Sequence, residues 1–268
     1  MGRKNNYTGD DLTFVVCAYK ECAYLEECIR SLLHQRVRAK VMIATSTPNS
    51  HIQQIAERYG LEIRVNACGG QVRDYNFALA QAETPLVMLA HQDEIFLPEY
   101  TKKVLDNLNI SKRPIIAFTN YMEMHNDIPD KVPSVLVRIK RLLLLPLKFR
   151  LLGKTVFGKR LVQCLGDPIT HPTVVCVKKE LPKKVFREKY KASMDWDLWE
   201  RLSKQEGSFV YVQDVLLYHR MNEDNQTVNL IRTTNTRARE EYEILCRFWP
   251  KPIAGIIMHF YGRSVKYY

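Results

Sequence analysis

The sequence lacks the glycine-rich loops that most often bind phosphate groups in proteins. It contains neither the GxxxxGKS/T loop of P-loop enzymes nor the GxGxxG turn of dinucleotide-binding proteins. Both loops hold phosphates with backbone N–H groups at the start of a helix. If this chain binds a nucleotide diphosphate, we therefore expect a metal ion and cationic side chains to neutralise its charge.

Paired cysteines, an apolar leader and a membrane-spanning run are also missing. Seven cysteines are scattered without a CxxC pair, and this odd number, with no apolar N-terminal stretch, indicates a reducing compartment. The Met-Gly start is followed by Asn6, where the myristoylation pattern needs Ser or Thr. In the leucine-rich segment 134–165, no run of about twenty residues is free of charge, so we do not expect it to cross a bilayer.

Positive charge, by contrast, is abundant. The formal net charge is +11 and the sequence pI is about 9.3, which suggests nucleic acid, anionic lipid or phosphorylated ligands. The 268 residues are 46% hydrophobic and 26% charged, enough for one sizeable core. Neither internal repeats nor low-complexity linkers divide the sequence, so we predict one domain over residues 1–268.

Short apolar strands alternate with amphipathic helices along the first third of the chain. Residues 12–18 are β-branched and aromatic, and Leu25, Cys28, Ile29 and Leu32 then follow at helical spacing. Further strands are predicted at 41–44, 61–65, 86–90, 114–124, 173–177 and 209–218, and further helices at 52–59, 71–82, 98–108, 195–204 and 236–248. The alternating order predicts an α/β fold with a mostly parallel sheet flanked by helices.

The most informative stretch follows the apolar run 86–90. That run is short and unbroken, as in a strand buried on both faces, and His91, Gln92, Asp93 and Glu94 come directly after it. Ligands of open α/β sheets bind at the carboxyl ends of the strands. Carboxylates next to an imidazole suit a divalent cation. A polar turn leading into the next helix is the alternative.

Several motifs together resemble family 2 glycosyltransferases over about residues 12–228. The first strand and helix match, Gly70 to Asn76 looks like the segment before the metal strand, and His91-Gln92-Asp93 occupies the place of the Asp-x-Asp motif. Residues 194–202 look like the helix that carries the catalytic base. Tyr218-His219-Arg220 with Asn225-Gln226-Thr227 is similar to the closing motif. This order and spacing is typical of the family.

The resemblance implies a GT-A (Rossmann-like) fold, a nucleotide-diphospho-sugar donor with a UDP-sugar favoured, Mg²⁺ or Mn²⁺, and inversion at the anomeric carbon. It places a nucleotide-sugar-binding half at 10–124, an acceptor and catalytic half at 125–230 with a helical insert at 134–165, and a C-terminal helical tail at 231–268. Asp195 is the implied catalytic base, and Asp93 and His219 the implied metal ligands. The implied donor-binding residues are Ala18, Tyr19, Glu21, Thr45, Ser46, Arg73, Asn76, His91, Gln92 and Arg220. The implied acceptor-binding residues are Asp167, His171 and Trp196.

Some of these assignments have open alternatives. Asp195 shares a helical face with apolar residues and should point inward, but it could simply cap its helix. His219 could bind metal or diphosphate, or pack as an ordinary side chain. His91 replaces the first Asp of the family motif and adds no negative charge, unless Glu94 compensates. Hydroxyls at the end of the second strand stand where the family has acidic residues that contact the base.

The segment 134–165 combines many leucines with Lys and Arg. It fits a basic amphipathic helix in a membrane interface, or an insert packed on the domain. The basic residues are Arg138, Lys140, Arg141, Lys148, Arg150, Lys154, Lys159 and Arg160. We expect a cytoplasmic enzyme held peripherally at the inner face of the plasma membrane, acting on a glycan or lipid-linked acceptor of bacterial surface polysaccharide. The alternatives are a nucleotidyltransferase, an inactive glycosyltransferase-like protein and a nucleic-acid binder, although we expect no nucleic-acid partner.

Overall fold

One continuous sheet of nine strands organises the part of the chain that the structure describes. The computed structural model describes residues 5–221 and 236–264, with side chains as far as residue 259. The strands are β1 (Leu12–Ala18), β2 (Lys40–Thr45), β3 (Ile63–Val65), β4 (Leu86–His91), β5 (Ile95–Phe96), β6 (Pro114–His125), β7 (Ile128–Pro129), β8 (Val174–Val177) and β9 (Ser208–Arg220). Their order across the sheet is β3-β2-β1-β4-β8-β6-β9-β5, with β7 paired to β6.

The sheet is mostly parallel, as the alternating pattern predicts. Strands β1, β2, β3 and β4 are mutually parallel, and β6 is parallel to β9. β8 lies between β4 and β6 and runs antiparallel to both, so these two blocks point the same way. The short strands β5 and β7 are additional to the prediction and run antiparallel to β9 and β6. The α/β prediction is confirmed.

Helices cover both faces of this sheet. The helices are α1 (Leu25–Leu33), α2 (Ser50–Tyr59), α3 (Gln71–Gln81), α4 (Tyr100–Asn109), α5 (Val135–Leu143), α6 (Arg150–Gly153), α7 (Val156–Leu161), α8 (Met194–Ser203), α9 (Thr236–Leu245) and α10 (Lys251–Ser264). α1, α2 and α4 bury their apolar residues in one core, and α3, α8 and α9 bury theirs in the other. Alternate residues of β1 feed the two cores, because successive side chains of a strand point to opposite faces.

The insert is helical, but it is broken rather than one amphipathic helix. α5 ends before a 3-10 turn at Leu145–Lys148, and the short helices α6 and α7 follow. Pro146 stands at the start of the 3-10 turn, where its missing N–H cannot continue an α-helix. No described helix combines the length and the apolar character needed to cross a bilayer. The division of the chain into a donor half, an acceptor half and a tail stays a prediction.

Candidate functional site

A cleft of about 1010 Å³ opens where β1, β2 and β4 end. These strands are parallel and adjacent, so the residues that follow each of them meet at one edge of the sheet. The residues that line the cleft include Ala18, Tyr19, Glu21, Thr45, Asn66, Asp74, Tyr75, His91, Gln92 and Asp93. The turn after β4, read from the sequence as the most informative stretch, therefore lies in the cleft together with the turn after β1.

Three side chains of this turn form a possible metal site. One ligand atom each from His91, Asp93 and Glu94 lies within 4.8 Å of the others. Glu94 is 1% exposed, and its Oε2 is a buried oxygen without a hydrogen-bond partner among the described residues. A buried carboxylate oxygen is costly to leave unpaired. The carboxylates of Asp93 and Glu94 and the imidazole of His91 together form a ligand set that fits a divalent cation.

His219 joins this cluster from the far end of the chain. β5 pairs with β9 so that Ile95 lies opposite Tyr218, and this register brings His219 to the residue before β5. Its Nδ1 lies 2.7 Å from Glu94 Oε1. His219 is thus next to the predicted metal ligand Asp93, but the side chain that it contacts directly is Glu94. The resemblance to the family motifs does not imply Glu94 as a ligand.

Burial and neighbouring charges set the protonation of this cluster. Burial lowers the pKa of His91 to about 4, so its imidazole is neutral at pH 7 and can offer a lone pair. Burial raises the pKa of Glu94 to about 6. Burial alone would lower the pKa of His219, but Glu94 and Asp93 outweigh it and raise that pKa. The cluster thus balances two acids against one protonatable imidazole.

Arg220 supports the turn after β4, which carries the candidate metal ligands. Its guanidinium is 2% exposed, donates from Nη2 to Glu27 Oε2 at 2.7 Å and from Nε to the Asp93 carbonyl oxygen at 3.3 Å, and pairs with Asp127. It also stacks 3.9 Å from the centroid of the Tyr24 ring. These contacts fix the backbone of Asp93. Direct donor binding by Arg220 stays a prediction.

The turn after β1 is fixed by Gln92. Its Oε1 accepts from the Tyr19 backbone N–H at 2.8 Å, and its Nε2 donates to the Tyr19 carbonyl at 3.1 Å. Lys20 adopts a φ of 55° and its N–H donates to Thr47 Oγ1 at 2.6 Å. Gln92 therefore positions the predicted donor-binding residue Tyr19, whereas Glu21 projects as an exposed side chain.

A carboxylate from α3 lies at the end of β2. Asp74 Oδ2 accepts from Ser46 Oγ at 2.9 Å, and its Oδ1 accepts from Asn66 Nδ2 at 2.7 Å. Thr45 is buried beside them, with its Oγ1 accepting from the Thr47 N–H at 3.1 Å. The predicted base-contacting hydroxyls are thus joined by an acidic group that does not belong to β2.

Two other predicted donor-binding residues make their contacts away from this cleft. Arg73 is exposed and pairs with Glu188 at 3.1 Å. Asn76 exchanges two hydrogen bonds with the backbone of Phe186, at 2.8 and 2.9 Å. Both residues therefore tie α3 to the loop before α8, and the structure does not bring them to the β1 and β4 turns.

Asp195 lies in the first turn of α8, and the N-cap position of this helix is Ser193, whose side chain makes no capping hydrogen bond. Asp195 Oδ1 accepts from the Trp196 N–H at 2.9 Å. Burial raises the pKa of Asp195, and burial together with Asp195 raises the pKa of Asp167 well above its ordinary value. Lys140 from the insert and Arg237 from α9 act in the opposite direction on both. The predicted base and a predicted acceptor residue therefore lie close enough for the charge of one to affect the protonation of the other.

A cluster of aromatic rings connects the two parts of the site. Tyr75 lies between His91, whose Nε2 is 3.0 Å from its hydroxyl, and the rings of His171 and Phe186. Burial is the main cause that raises the pKa of Tyr75, and Asp93 and Asp195 both add to it. Tyr75 lines the cleft, and the His171 ring next to it lies 6.2 Å from the Trp199 ring of α8, so these rings join the turn after β4 to α8.

His171 and Trp196, predicted to bind the acceptor, are inside the protein. His171 is 9% exposed, and its Nδ1 lies 3.2 Å from His91 Nε2. Burial lowers the pKa of His171 well below its usual range. Trp196 is 1% exposed and packs in the core, a position that does not favour contact with an acceptor. His171 positions His91, and Trp196 positions the start of α8.

A family model described as "Glycosyltransferase like family 2" matches residues 10–249. The chain belongs to this family. The assignment confirms the family that the motifs suggest, and with it a glycosyltransferase. No curated protein matches the sequence. The family comparison also covers Asn225, Gln226 and Thr227, which lie outside the described residues.

Solved glycosyltransferases share the fold of this family 2 chain. S. aureus TarS in complex with UDP-GlcNAc has a TM-score of 0.62 at 17% identity, covering 92% of this chain and 70% of that one. The mannosyltransferase PcManGT from Pyrobaculum calidifontis, in complex with GDP-Man and Mn²⁺, has a TM-score of 0.64 at 14% identity, covering 94% and 70%. Glucosyl-3-phosphoglycerate synthase from Mycobacterium tuberculosis, in complex with Mn²⁺ and UDP-glucose, has a TM-score of 0.52 at 14% identity, covering 85% and 79%.

Sequence reasoning missed two members of this glycosyltransferase site. Tyr75 lies on the buried face of α3 with Val72 and Leu79, where helical spacing marks it as a core residue. Asp74 follows from the sequence only as a polar residue of that helix. Glu94 is indicated by the sequence, with Asp93 and His91, as a group suited to a divalent cation, but nothing in the local sequence shows that His219 reaches it.

Proposed function

We propose that this chain is an inverting, metal-dependent glycosyltransferase that moves a sugar from a nucleoside diphosphate sugar to a hydroxyl group. A UDP-sugar is the favoured donor. The acceptor is a glycan or a lipid-linked saccharide, in the assembly of bacterial surface polysaccharide. The single observation that carries the proposal is the buried Glu94 carboxylate, whose Oε2 lacks a partner among the described residues, beside Asp93 and a neutral His91 at the cleft.

Asp93 and Glu94 would hold Mg²⁺ or Mn²⁺, with His91 and His219 close by. The bound ion supplies Lewis-acid stabilisation of the negative charge on the departing diphosphate. Arg220 keeps the Asp93 backbone in place through its 3.3 Å hydrogen bond to the carbonyl oxygen. Gln92 holds Tyr19 over the same cleft, so the turns after β1 and β4 are fixed relative to each other before a donor binds.

Asp195 is the proposed base. An acceptor hydroxyl must lose its proton as it attacks the sugar, and a carboxylate with a raised pKa is a stronger base than an exposed one. Burial raises the pKa of Asp195, and burial together with the Asp195 charge raises the pKa of its neighbour Asp167. Asp167 then suits a hydrogen bond to the acceptor as a protonated or shared group.

The polar groups at the end of β2 are the proposed binding site for the nucleobase of the donor. Asp74, Asn66 and the Thr45 hydroxyl together present acceptors and donors to a base edge. S. aureus TarS and the M. tuberculosis synthase were solved with UDP-sugars, and PcManGT with GDP-Man. A UDP-sugar is therefore the favoured donor, and GDP-mannose is the main alternative. An inactive relative or a nucleotidyltransferase would turn over none of these donors by sugar transfer.

The test is a donor screen that measures released nucleoside diphosphate. UDP-glucose, UDP-GlcNAc and GDP-mannose are each incubated with the protein and Mn²⁺ or Mg²⁺, with and without EDTA. We expect release from one UDP-sugar, loss of release in EDTA, and a loss of about a hundredfold or more in Asp93→Asn and Glu94→Gln. Asp106→Asn is the matched control, because Asp106 is an exposed carboxylate of α4 paired with Lys102.

The outcome distinguishes the parts of the proposal. Full release in EDTA, together with normal release by both site variants, would refute the metal assignment. Release from GDP-mannose alone would correct the donor and keep the metal site. No release from any donor, while the protein binds none of them, would favour an inactive relative.

A further inference from the structure

The insert exposes large apolar side chains at its surface. On α5, Val135 is 72% exposed and Leu142 63%. After α5, Phe149 is 70% exposed, Leu151 75% and Phe157 68%. We call these five residues the apolar tips. Isolated exposed apolar residues are common, but five within 23 residues of sequence, all large, mark an interaction surface.

The packing of α5 fixes which of its faces is exposed. Val135 and Leu142 are seven residues apart and share a face, with Ile139 between them at 41% exposure. On the other side, Val137 is 1% exposed and joins the sheet core. Val137 thus already anchors α5 on the sheet. Its apolar outer face is a second surface that the described residues do not cover.

The basic residues of the insert fall into two groups. Four are buried or half-buried and donate to other parts of the protein. Arg141 donates to the Tyr121 carbonyl at 2.7 Å, Lys140 to Thr170 Oγ1 at 3.0 Å, Lys159 to the Gly207 carbonyl at 2.8 Å, and Arg160 to Glu200 at 2.6 Å. The other four, Arg138, Lys148, Arg150 and Lys154, are exposed. Of these, Arg138 also donates to the Pro133 carbonyl at 3.0 Å and Arg150 to Asn107 Oδ1 at 3.3 Å. Residues 131–166 contain no Asp or Glu, so no acidic residue of the insert offsets these charges.

The insert is also firmly attached to the sheet. A Cβ on Gly153 would lie 2.7 Å from the Phe209 carbonyl oxygen, so the backbone of α6 touches β9 directly. Trp249 Nε1 donates to the Cys164 carbonyl at 2.6 Å and ties the start of α10 to the end of the insert. The apolar tips and the four exposed cations therefore keep fixed positions relative to the sheet and its cleft.

We propose that this insert surface binds an anionic lipid bilayer, with the apolar tips in the headgroup region and Arg138, Lys148, Arg150 and Lys154 against lipid phosphates. Large apolar side chains mixed with cations, and no acidic residue among them, are what such a surface needs. A protein partner would instead need a surface that is complementary in shape to the apolar tips and opposite in charge to the four cations. This proposal does not depend on sugar transfer, and it agrees with the predicted location at the inner face of the plasma membrane.

Vesicle flotation tests it. The full chain is mixed with vesicles of phosphatidylcholine alone or with about 30% phosphatidylglycerol. A charge variant changes the four exposed cations to Gln, and a tip variant changes Phe149, Leu151 and Phe157 to Ser. The matched control changes Arg38, Lys40, Lys179 and Lys183 to Gln, because these are four exposed cations elsewhere on the surface. Thermal melting checks that all three variants fold.

We expect the parent to float with anionic vesicles, at least about tenfold more than with neutral ones, and to be released in about 0.5 M NaCl, because screening shortens the reach of surface charges. The charge and tip variants should each lose about tenfold or more, and the control should keep most of the binding. The proposal is overturned if the folded parent floats with neither vesicle, or if the control loses as much as the charge variant. It is also overturned if the parent is a dimer that the tip variant dissociates, because a second copy then covers the surface.

Discussion

At the scale of single residues, Asp195 and Asp197 differ although only one residue separates them on α8. Burial raises the pKa of Asp195. Burial would also raise that of Asp197, but its salt bridges with Arg187, Arg247 and Arg201 outweigh this and lower it. Asp197 is 0% exposed and fully committed to those arginines. It cannot take the place of Asp195 as a base.

The two neighbours therefore predict opposite phenotypes. Asp195→Asn should lower kcat by about 10²–10⁴-fold and leave the melting temperature and the donor affinity nearly unchanged. Asp197→Asn should lower the free energy of unfolding by about 3 kcal/mol, because it removes the buried charge that pairs with three half-buried arginines. Turnover assays and thermal melts of both variants check this. Near-normal turnover in folded Asp195→Asn would move the base to another residue.

At the scale of elements, the insert depends on a close backbone contact between α6 and β9. Gly153→Ala places a methyl group 2.7 Å from the Phe209 carbonyl oxygen, and the helix must shift to relieve the clash. We expect a loss of about 1–3 kcal/mol in unfolding free energy. Gly255→Ala is the control, because a Cβ there meets nothing within 4 Å and a helical alanine is favoured over glycine.

Melting temperatures of the two glycine variants decide this prediction. Gly153→Ala should melt lower than the parent, and Gly255→Ala should melt at the same temperature or slightly higher. Equal melting of all three proteins would show that the insert is not held by this contact. A loss in Gly255→Ala alone would show that α10 depends on glycine for another reason.

The elements also show how far the sequence could be interpreted. The β-branched run of β1 and the helical spacing in α1 predict those elements closely, because the pattern follows directly from burial. The reversed direction of β8 has no local signal, because pairing partners are chosen by the tertiary fold. The same holds at the site. Asp93 follows a buried strand and was predicted, whereas Asp74 acquires its place only when α3 brings it beside Ser46 at 2.9 Å.

At the scale of the whole molecule, the proposed donor site joins elements as far apart in the sequence as β1 and β9. A ligand that binds only the folded state stabilises it by RT ln(1 + [L]/Kd), about 2.7 kcal/mol at a hundredfold excess over Kd. Mn²⁺ and UDP together should therefore raise the melting temperature by roughly 5–10 °C, and more than the sum of the two alone, since Asp93 and Glu94 would hold an ion whose charge also attracts the diphosphate.

Thermal shift measurements with each ligand and with both check this expectation. In Glu94→Gln the effect of UDP should no longer depend on Mn²⁺, while Asp106→Asn should behave like the parent. A parent protein that responds to UDP equally with Mn²⁺ and with EDTA would contradict a shared metal and nucleotide site. This measurement needs no acceptor and no turnover.

The 2.7 Å contact between His219 and Glu94 spans 125 positions of the chain, and the pair of Arg220 with Glu27 spans 193. Contacts so distant in sequence form late, because the entropy of closing a long loop is lost before they form. During synthesis, β1 to β4 leave the ribosome long before β9. A chain that stops before residue 219 lacks the His219 imidazole that contacts Glu94 and the Arg220 guanidinium that donates to the Asp93 carbonyl oxygen. The proposed donor site is therefore complete only after β9 has been made.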